Sequence, residues 1–292
     1  MIRHSFVAID EGRATLLCVD EQAPARDWVV PIGHPAARDL QLIGDGRLLV
    51  GHHHGWSEFD LATGRTLFTC AAYEGVTAVR RQPSGHTLLA GVDLAGEKGV
   101  AVLELDAHQR LVRRVRYEGD YVRLIRQTAA GTYLMSCNDR IREGAPDGGY
   151  LRAFPVAGFY HAWKAVRFPD GHMLVSAGYG AFMVELDAAG AVVRTFGGKD
   201  QVPAAVNPFF YAMFQVLPNG HVVVANWQGH GEGLGGQGVQ LLEFDPAGAI
   251  VWQWSEAARI SSLQGVLVLD GLDVAQLHDE RAGRMEALGK PR

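Results

Sequence analysis

WKAVRFPDGHMLVSAGYGAFMVELDAAGAVVRTF, residues 163–196, decides the fold of this chain. It reads as a strand, a Gly-containing tight turn, a second strand, a short loop, a third strand ending in Asp, another turn and a fourth strand. Apolar residues flank each turn in the pattern of strands packed on two faces. The first turn recurs with its glycine at Gly46, Gly85, Gly131, Gly171, Gly220 and Gly271, at intervals of 39 to 51 residues. The second half recurs in EFDLATGRTLF (58–68), VLELDAHQRLV (102–112) and LEFDPAGAIVW (242–252). Four-stranded units at this period are propeller blades.

The chain ends are complementary. SLQGVLVLDGL (262–272) has the character of an inner strand and its turn, with no full blade after it. The N-terminus supplies FVAID (6–10), ATLLCVD (14–20) and RDWVVPI (26–32), three strands without an inner one. Joining them makes a sixth blade and removes the open sheet edges. The expectation is an all-β, six-bladed propeller of four-stranded antiparallel blades over residues 1–275, closed by strands from both termini. A charged tail (276–292) without a strand pattern follows, read as a short helix or a disordered segment. Seven blades is the alternative, if blade three hides a second unit; its third and fourth strands are sought around GYLRAF (149–154).

Composition narrows the partners. The net charge of -5 provides no basic field for nucleic acid. No apolar run reaches membrane-spanning length, and the start MIRHSFVAIDEGR has no apolar stretch long enough to be read as a signal peptide. Cys18, Cys70 and Cys137 are odd in number and widely spaced, as reduced thiols are. These features point to a cytoplasmic protein, and the preference for Arg over Lys to a GC-rich bacterial genome. Oligomeric state is not legible.

Strand direction alternates within a blade, so the turns joining first to second and third to fourth strands share one face. The other connections share the opposite, loop face, where propellers hold their ligands. His86, His172 and His221 follow the turn glycine and are part of the repeat. His34, His52, His53, His54, His161 and His230 all fall on the loop face. At the mouth of the channel, His161 is the candidate general base or acid, because an unperturbed imidazole titrates near neutrality. Lys164 and Arg123 on inner strands are candidates for neutralising a substrate carboxylate. Tyr160, Tyr179 or Tyr211 would protonate a leaving oxygen, and His230 joins the catalytic candidates. Asn226, Trp227 and Gln228, in NWQGHGEGLGGQG (226–238), combine amides with an indole and suit a sugar. His52, His54, Tyr179 and Gln264 complete the candidate binding set.

A metal is the further alternative. His52 and His54 alternate to share one side of a strand, and His161 or His230 would add a third imidazole for a divalent ion. Gly231, Gly233 and Gly236 match G-x-G-x-x-G but precede a strand, which excludes the dinucleotide reading.

The turn phrases PDGHMLVSAGYG and PNGHVVVANW, with LLEFDPAGAIVWQW, resemble the repeats of quinoprotein-type (PQQ-like) β-propellers. That resemblance implies the fold. It does not imply the quinone, because the recurrent tryptophan docking motifs and an adjacent cysteine pair are missing, so neither PQQ nor calcium is expected. Propeller polysaccharide lyases and glycosidases with a lone catalytic His offer a looser analogy. The leading expectation is an enzyme (lyase, epimerase or hydrolase) acting on a small anionic, saccharide-like molecule without a cofactor. A non-catalytic propeller binding a ligand or protein is the second, and a metal-dependent His-cluster enzyme the third.

Overall fold

The computed structural model describes residues 2–119 and 121–290. It contains six four-stranded antiparallel sheets, each with its strands in sequence order from the axis outwards except the closing one. Blade one runs from Asp39–Leu42 to Thr66–Cys70, blade two from Val76–Arg81 to Leu111–Tyr117, and blade three from Ile125–Gln127 to Tyr150–Pro155. Blade four spans Lys164–Arg167 to Val192–Phe196 and blade five Phe210–Val216 to Ile250–Trp254. In the sixth blade Leu263–Val268 lies innermost, and Ser5–Asp10, Thr15–Asp20 and Trp28–Pro31 follow outwards. Phe6 faces Val268 and Val7 faces Leu267, so the two ends of the chain close the ring in register. All six turn glycines adopt positive φ, between 65° and 90°, which is why the turn keeps Gly in every blade.

The core is the sum of the interfaces between blades. Strands such as Phe6–Asp10 and Val222–Trp227 are buried on both faces, as sheets stacked on two neighbours require. Amides on inner strands fasten one blade to the next. Gln215 donates to the Val268 carbonyl at 3.1 Å and accepts from its N–H at 2.8 Å. Gln41 accepts from the Arg81 N–H at 2.8 Å. The thiols of Cys18, Cys70 and Cys137 are all free and buried, and burial raises those of Cys18 and Cys137 to about 11. Among the described residues no helix is long and apolar enough to cross a membrane.

Two elements differ from the sequence expectation. In blade three the third strand is Arg140–Gly144 and the fourth Tyr150–Pro155, so the third lies in what reads as a long loop. RIREG carries three charged residues around a single large apolar one and lacks the terminal Asp of the other blades. Its Ile141 is nevertheless fully buried, opposite Phe154. The second difference is the tail. Residues 276–292 are neither helix nor disordered where described: His278–Asp279 pairs with Glu286–Ala287 in a two-stranded ribbon. The preceding residues 273–275 dock on the first turn of blade one, where Gly46 N–H donates to the Val274 carbonyl at 2.8 Å. Arg281 reaches blade three, its carbonyl accepting from Ala129 N–H at 2.9 Å. The segment therefore crosses the face that carries the repeated turns.

This crossing delivers Glu280 to the axis. Its carboxylate accepts from Lys164 at 2.5 Å, from Arg126 Nε at 3.1 Å and from Arg80 at 3.3 Å. Asp39 accepts from Arg126 at 2.9 Å, and Asp279 lies 3.8 Å from Arg80. All six side chains are buried. Three cations from three blades thus meet three carboxylates. Burial alone would raise the Glu280 carboxyl, but Lys164, Arg126 and Arg80 hold it down near 2. Breaking such a cluster by removing one charge typically costs about 3–5 kcal/mol. Urea unfolding of Glu280→Gln should show a loss of that order, and deletion of residues 276–292 a loss at least as large. A variant within about 0.5 kcal/mol of the wild type would show the cluster to be energetically neutral.

A second buried network joins the N-terminus to blade five. His4 lies between Glu243, at 2.9 Å, and Asp270, with Trp252 edge-on at 4.7 Å. Burial opposes the imidazolium, yet the hydrogen bonds to Asp270 and Glu243 raise its pKa to about 9. The stabilisation is complete below pH 6.5, where the unfolded chain is protonated too, and is lost as pH rises through 9. It amounts to roughly 2–3 kcal/mol at neutrality. The melting temperature should fall between pH 6.5 and 9, and His4→Gln should flatten that slope; an unchanged slope in the variant would place the titration elsewhere.

Candidate functional site

The tail closes one end of the channel, and the loop face holds the other. His86, His172 and His221 serve the turn face: His86 pairs with Glu104 at 2.8 Å, His221 with Glu243 at 2.7 Å, and His172 lies beside the tail residues Ala282 and Arg284.

The expected catalytic set does not converge. Lys164 is fully buried in the cluster around Glu280 and also donates to the Phe214 carbonyl. Burial lowers its ammonium to about 7 against the pull of Glu280. It is a structural charge at the axis, not a group on the loop face. Tyr211 is fully buried, and its hydroxyl donates to the Gly197 carbonyl at 2.7 Å. Asn226 spends its amide on the loop backbone, donating to the Val239 carbonyl at 2.8 Å and accepting from Phe209 N–H at 2.9 Å. Gln228 likewise donates to the carbonyls of Asn207 and Asn226. His230 stands on the rim, largely exposed, paired with Glu11 at 2.8 Å. Glu11 also accepts from Trp227 Nε1 at 3.1 Å, so it fastens the glycine-rich loop to blade six. The amides and indole of this loop hold the loop itself.

His161 is placed differently. Its backbone is left-handed, with φ of 58°, and Asn138 of blade three accepts from its N–H at 3.2 Å. Gly178 passes so close that a Cβ there would stand 2.2 Å from the His161 carbonyl oxygen, which the tight AGYG loop of blade four avoids. The imidazole rests among Tyr160, Tyr121 and Tyr179, with ring centroids at 4.5, 4.9 and 5.6 Å. Burial first, then the charge of Arg123, lowers its pKa below the ordinary 6.5. Both influences favour the neutral imidazole.

Arg123 and Arg38 complete this region. The Arg123 guanidinium lies 4.7 Å from the centre of the Tyr121 ring and 5.5 Å from that of Trp163. Arg38, on the inner edge of blade one, is lowered to about 10 by burial and then by the proximity of Arg123. Among the described residues neither guanidinium has a carboxylate partner. Four buried polar atoms nearby in the repeat register also lack partners in the protein: Arg123 Nε, the Tyr121 hydroxyl, Trp163 Nε1 and, on the inner strand of blade six, Gln264 Oε1. A buried polar atom left unpaired costs about 1–3 kcal/mol, and such atoms also occur on the turn face, on Arg80, Gln82, His278 and Arg281. The sequence signal for Arg38 was its position, two residues past the site equivalent to His161, the same as Arg123 and Trp163. Tyr179, 37 % exposed, Tyr160 and Phe209 add an aromatic shelf beside His161.

The proposed metal set is also dispersed. His52 is buried, stacked on His34 at 4.1 Å and within 3.3 Å of the Ser57 hydroxyl; burial, then His34 and His54, lower it to about 3. His161 and His230 keep to the neighbourhoods just described. Among the described residues the one group of three with metal-ligand chemistry is His53, His54 and Glu74.

No family model matches the chain, and no curated protein matches it in sequence. The quinoprotein-type likeness therefore rests on the turn phrases alone. Solved structures do match. A protein of unknown function from Bacteroides caccae superposes with a TM-score of 0.74 at 22% identity, over 91% of this chain and 99% of that one. A streptogramin B lyase gives 0.55 at 10% identity, over 97% and 91%. Virginiamycin B lyase from Staphylococcus aureus gives 0.52 at 11%, over 86% and 84%. At these identities the chain is similar to them in fold: it is a six-bladed β-propeller whose blades are four-stranded and antiparallel.

Proposed function

We propose that the protein is a lyase-type enzyme acting on a small anionic molecule with a ring that stacks on aromatic side chains, such as a sugar acid. The observation that carries the reading is His161, set among tyrosine rings and within the influence of Arg123, which has no carboxylate partner among the described residues. Arg38 and Arg123 receive the carboxylate of the ligand. Their charge stabilises the negative charge that develops when the adjacent C–H is broken. His161 takes that proton. The electron pair forms the new double bond as the β C–O bond breaks, and the phenol of Tyr179 or Tyr121 protonates the departing oxygen. Tyr160, Tyr179 and Phe209 offer faces for the ring. Two structural neighbours carry lyase names; that likeness is one of fold, and the reading rests on the site. The aromatic shelf also favours a second reading, a propeller that binds the same anion without transforming it.

His161→Ala should cut turnover by about 10²–10⁴-fold while leaving the melting temperature in place. For a base with a lowered pKa, kcat/KM should rise with pH below 6.5 and be level at neutrality. A variant that keeps full turnover, measured by the absorbance of the new conjugated double bond, would leave only the binding reading.

Arg38→Met and Arg123→Met should each abolish the thermal shift produced by uronates, and the wild-type shift should shrink with added salt. Neutral sugars that shift the protein as strongly as uronates would overturn the anionic specificity.

A further inference from the structure

We infer that His53, His54 and Glu74 form a binding site for a first-row divalent metal ion on the rim of blades one and two. The three side chains offer two imidazole nitrogens and a carboxylate oxygen, all within 4.8 Å of one another. Among the described residues none of the three side chains has a hydrogen-bond or ion-pair partner. Two neutral nitrogens and one oxygen suit zinc, manganese, cobalt or nickel rather than calcium or magnesium.

The backbone holds the donors together. His53 and His54 form the turn between the second and third strands of blade one, Arg47–His52 and Gly55–Asp60. Glu74 lies in the link to blade two. Tyr73 N–H donates to the His54 carbonyl at 3.1 Å and Val76 N–H to the His53 carbonyl at 3.0 Å. These two bonds bracket Glu74 and stitch its segment to the histidine turn. Gly55, with φ of 140°, allows the close approach, since a Cβ there would lie 2.3 Å from the Cys70 carbonyl oxygen. The rings of His53 and His54 stand at 76° to each other with centroids 5.1 Å apart, which lets their nitrogens turn towards one point. His34 and His52, stacked at 4.1 Å, back the turn, and His52 Nδ1 accepts from the His54 N–H at 3.3 Å.

Tetrahedral bonds of about 2.0–2.2 Å place ligand atoms roughly 3.4 Å apart. The donors must therefore draw in by a little over an ångström, a movement open to the exposed Glu74 side chain. Three protein ligands leave the remaining positions of the ion open, as in catalytic rather than structural sites. Arg38 lies close enough to His53 to disfavour its charge, so the ion and the anion-binding arginines are neighbours on one rim.

The site does not depend on the lyase reading, because it is tested without any organic ligand. Chelator-treated, dialysed protein is titrated with Co2+ and Zn2+, following heat and, for cobalt, the visible ligand-field bands. One saturating equivalent is expected. His53→Ala, His54→Ala and Glu74→Gln should each weaken it by more than about tenfold, since changes behind a metal ligand alone cost about 10–100-fold. His86→Asn and His230→Asn should not weaken it. Circular dichroism confirms that the variants are folded. An absence of saturable binding, binding unaltered in the three ligand variants, or equal loss in His86→Asn or His230→Asn would each overturn the site.

Discussion

The floor of the channel depends on one ion cluster, and the cluster depends on Glu280. Arg80, Arg126 and Lys164 project from the inner strands of three adjoining blades into a space without water-like dielectric. Asp39 alone does not balance them. Glu280 and Asp279 bring the count to three charges of each sign, and both come from outside the repeat. The desolvation of six charged groups is costly, so the cluster is weak evidence for net stability over an apolar packing. Its worth lies in what it specifies. Lys164 and the arginines cannot stay charged and buried unless the tail lies across the turn face, so the charges select one path for the last strand of chain.

The mouth repeats the arrangement without the compensation. Arg38 and Arg123 stand on inner edges, as Arg80 and Arg126 do deeper in the channel, yet no carboxylate among the described residues is placed to pair with them. Glu11, the acid closest in influence to Arg38, is already shared between His230 and Trp227. The same fold thus holds two layers of cations along its axis, one of them neutralised by carboxylates from within the chain.

The blades were legible because each repeats the same local demands. A left-handed glycine at the first turn leaves its trace in every copy, and an Asp whose carboxylate caps the second turn in every copy but blade three. Closure was legible because each end lacked what the other supplied. What occurs once was not. The third strand of blade three lacks the Asp, so RIREG passed for a loop. The tail is polar in sequence because its buried groups are charges with partners, and a composition rule cannot tell a solvated Glu from one at the axis. Lys164 did signal a buried task, but its partner lies 116 residues away and has no motif. Asn226 and Gln228 misled for a related reason. A long loop over a packed mouth needs amides for its own carbonyls, and sequence does not say whether an amide faces a ligand or the backbone. That His161, Arg123 and Tyr179 lie near one another on the loop face was recoverable from their address in the repeat, and the same address places Arg38 near Arg123.

Two openings of an ordinary propeller channel would give a ligand two routes. Here the tail and its six-charge cluster occupy the turn face, so the proposed function requires a small molecule to approach from the loop face. There it encounters the arginines before any other charged group of the axis, within a wall of tyrosine and tryptophan that lowers the local dielectric. Guanidiniums so placed repel one another, and burial first, then Arg123, disfavours the charge of Arg38. A neutral ligand would leave that repulsion in place, whereas an anion removes it and gains charge-assisted hydrogen bonds at the same time. Under the proposed function, the sign of the ligand is therefore the property on which the two arginines bear most. The identity of the ring that follows the carboxylate is left to the shape of the aromatic shelf and to whatever ion the neighbouring histidine turn holds.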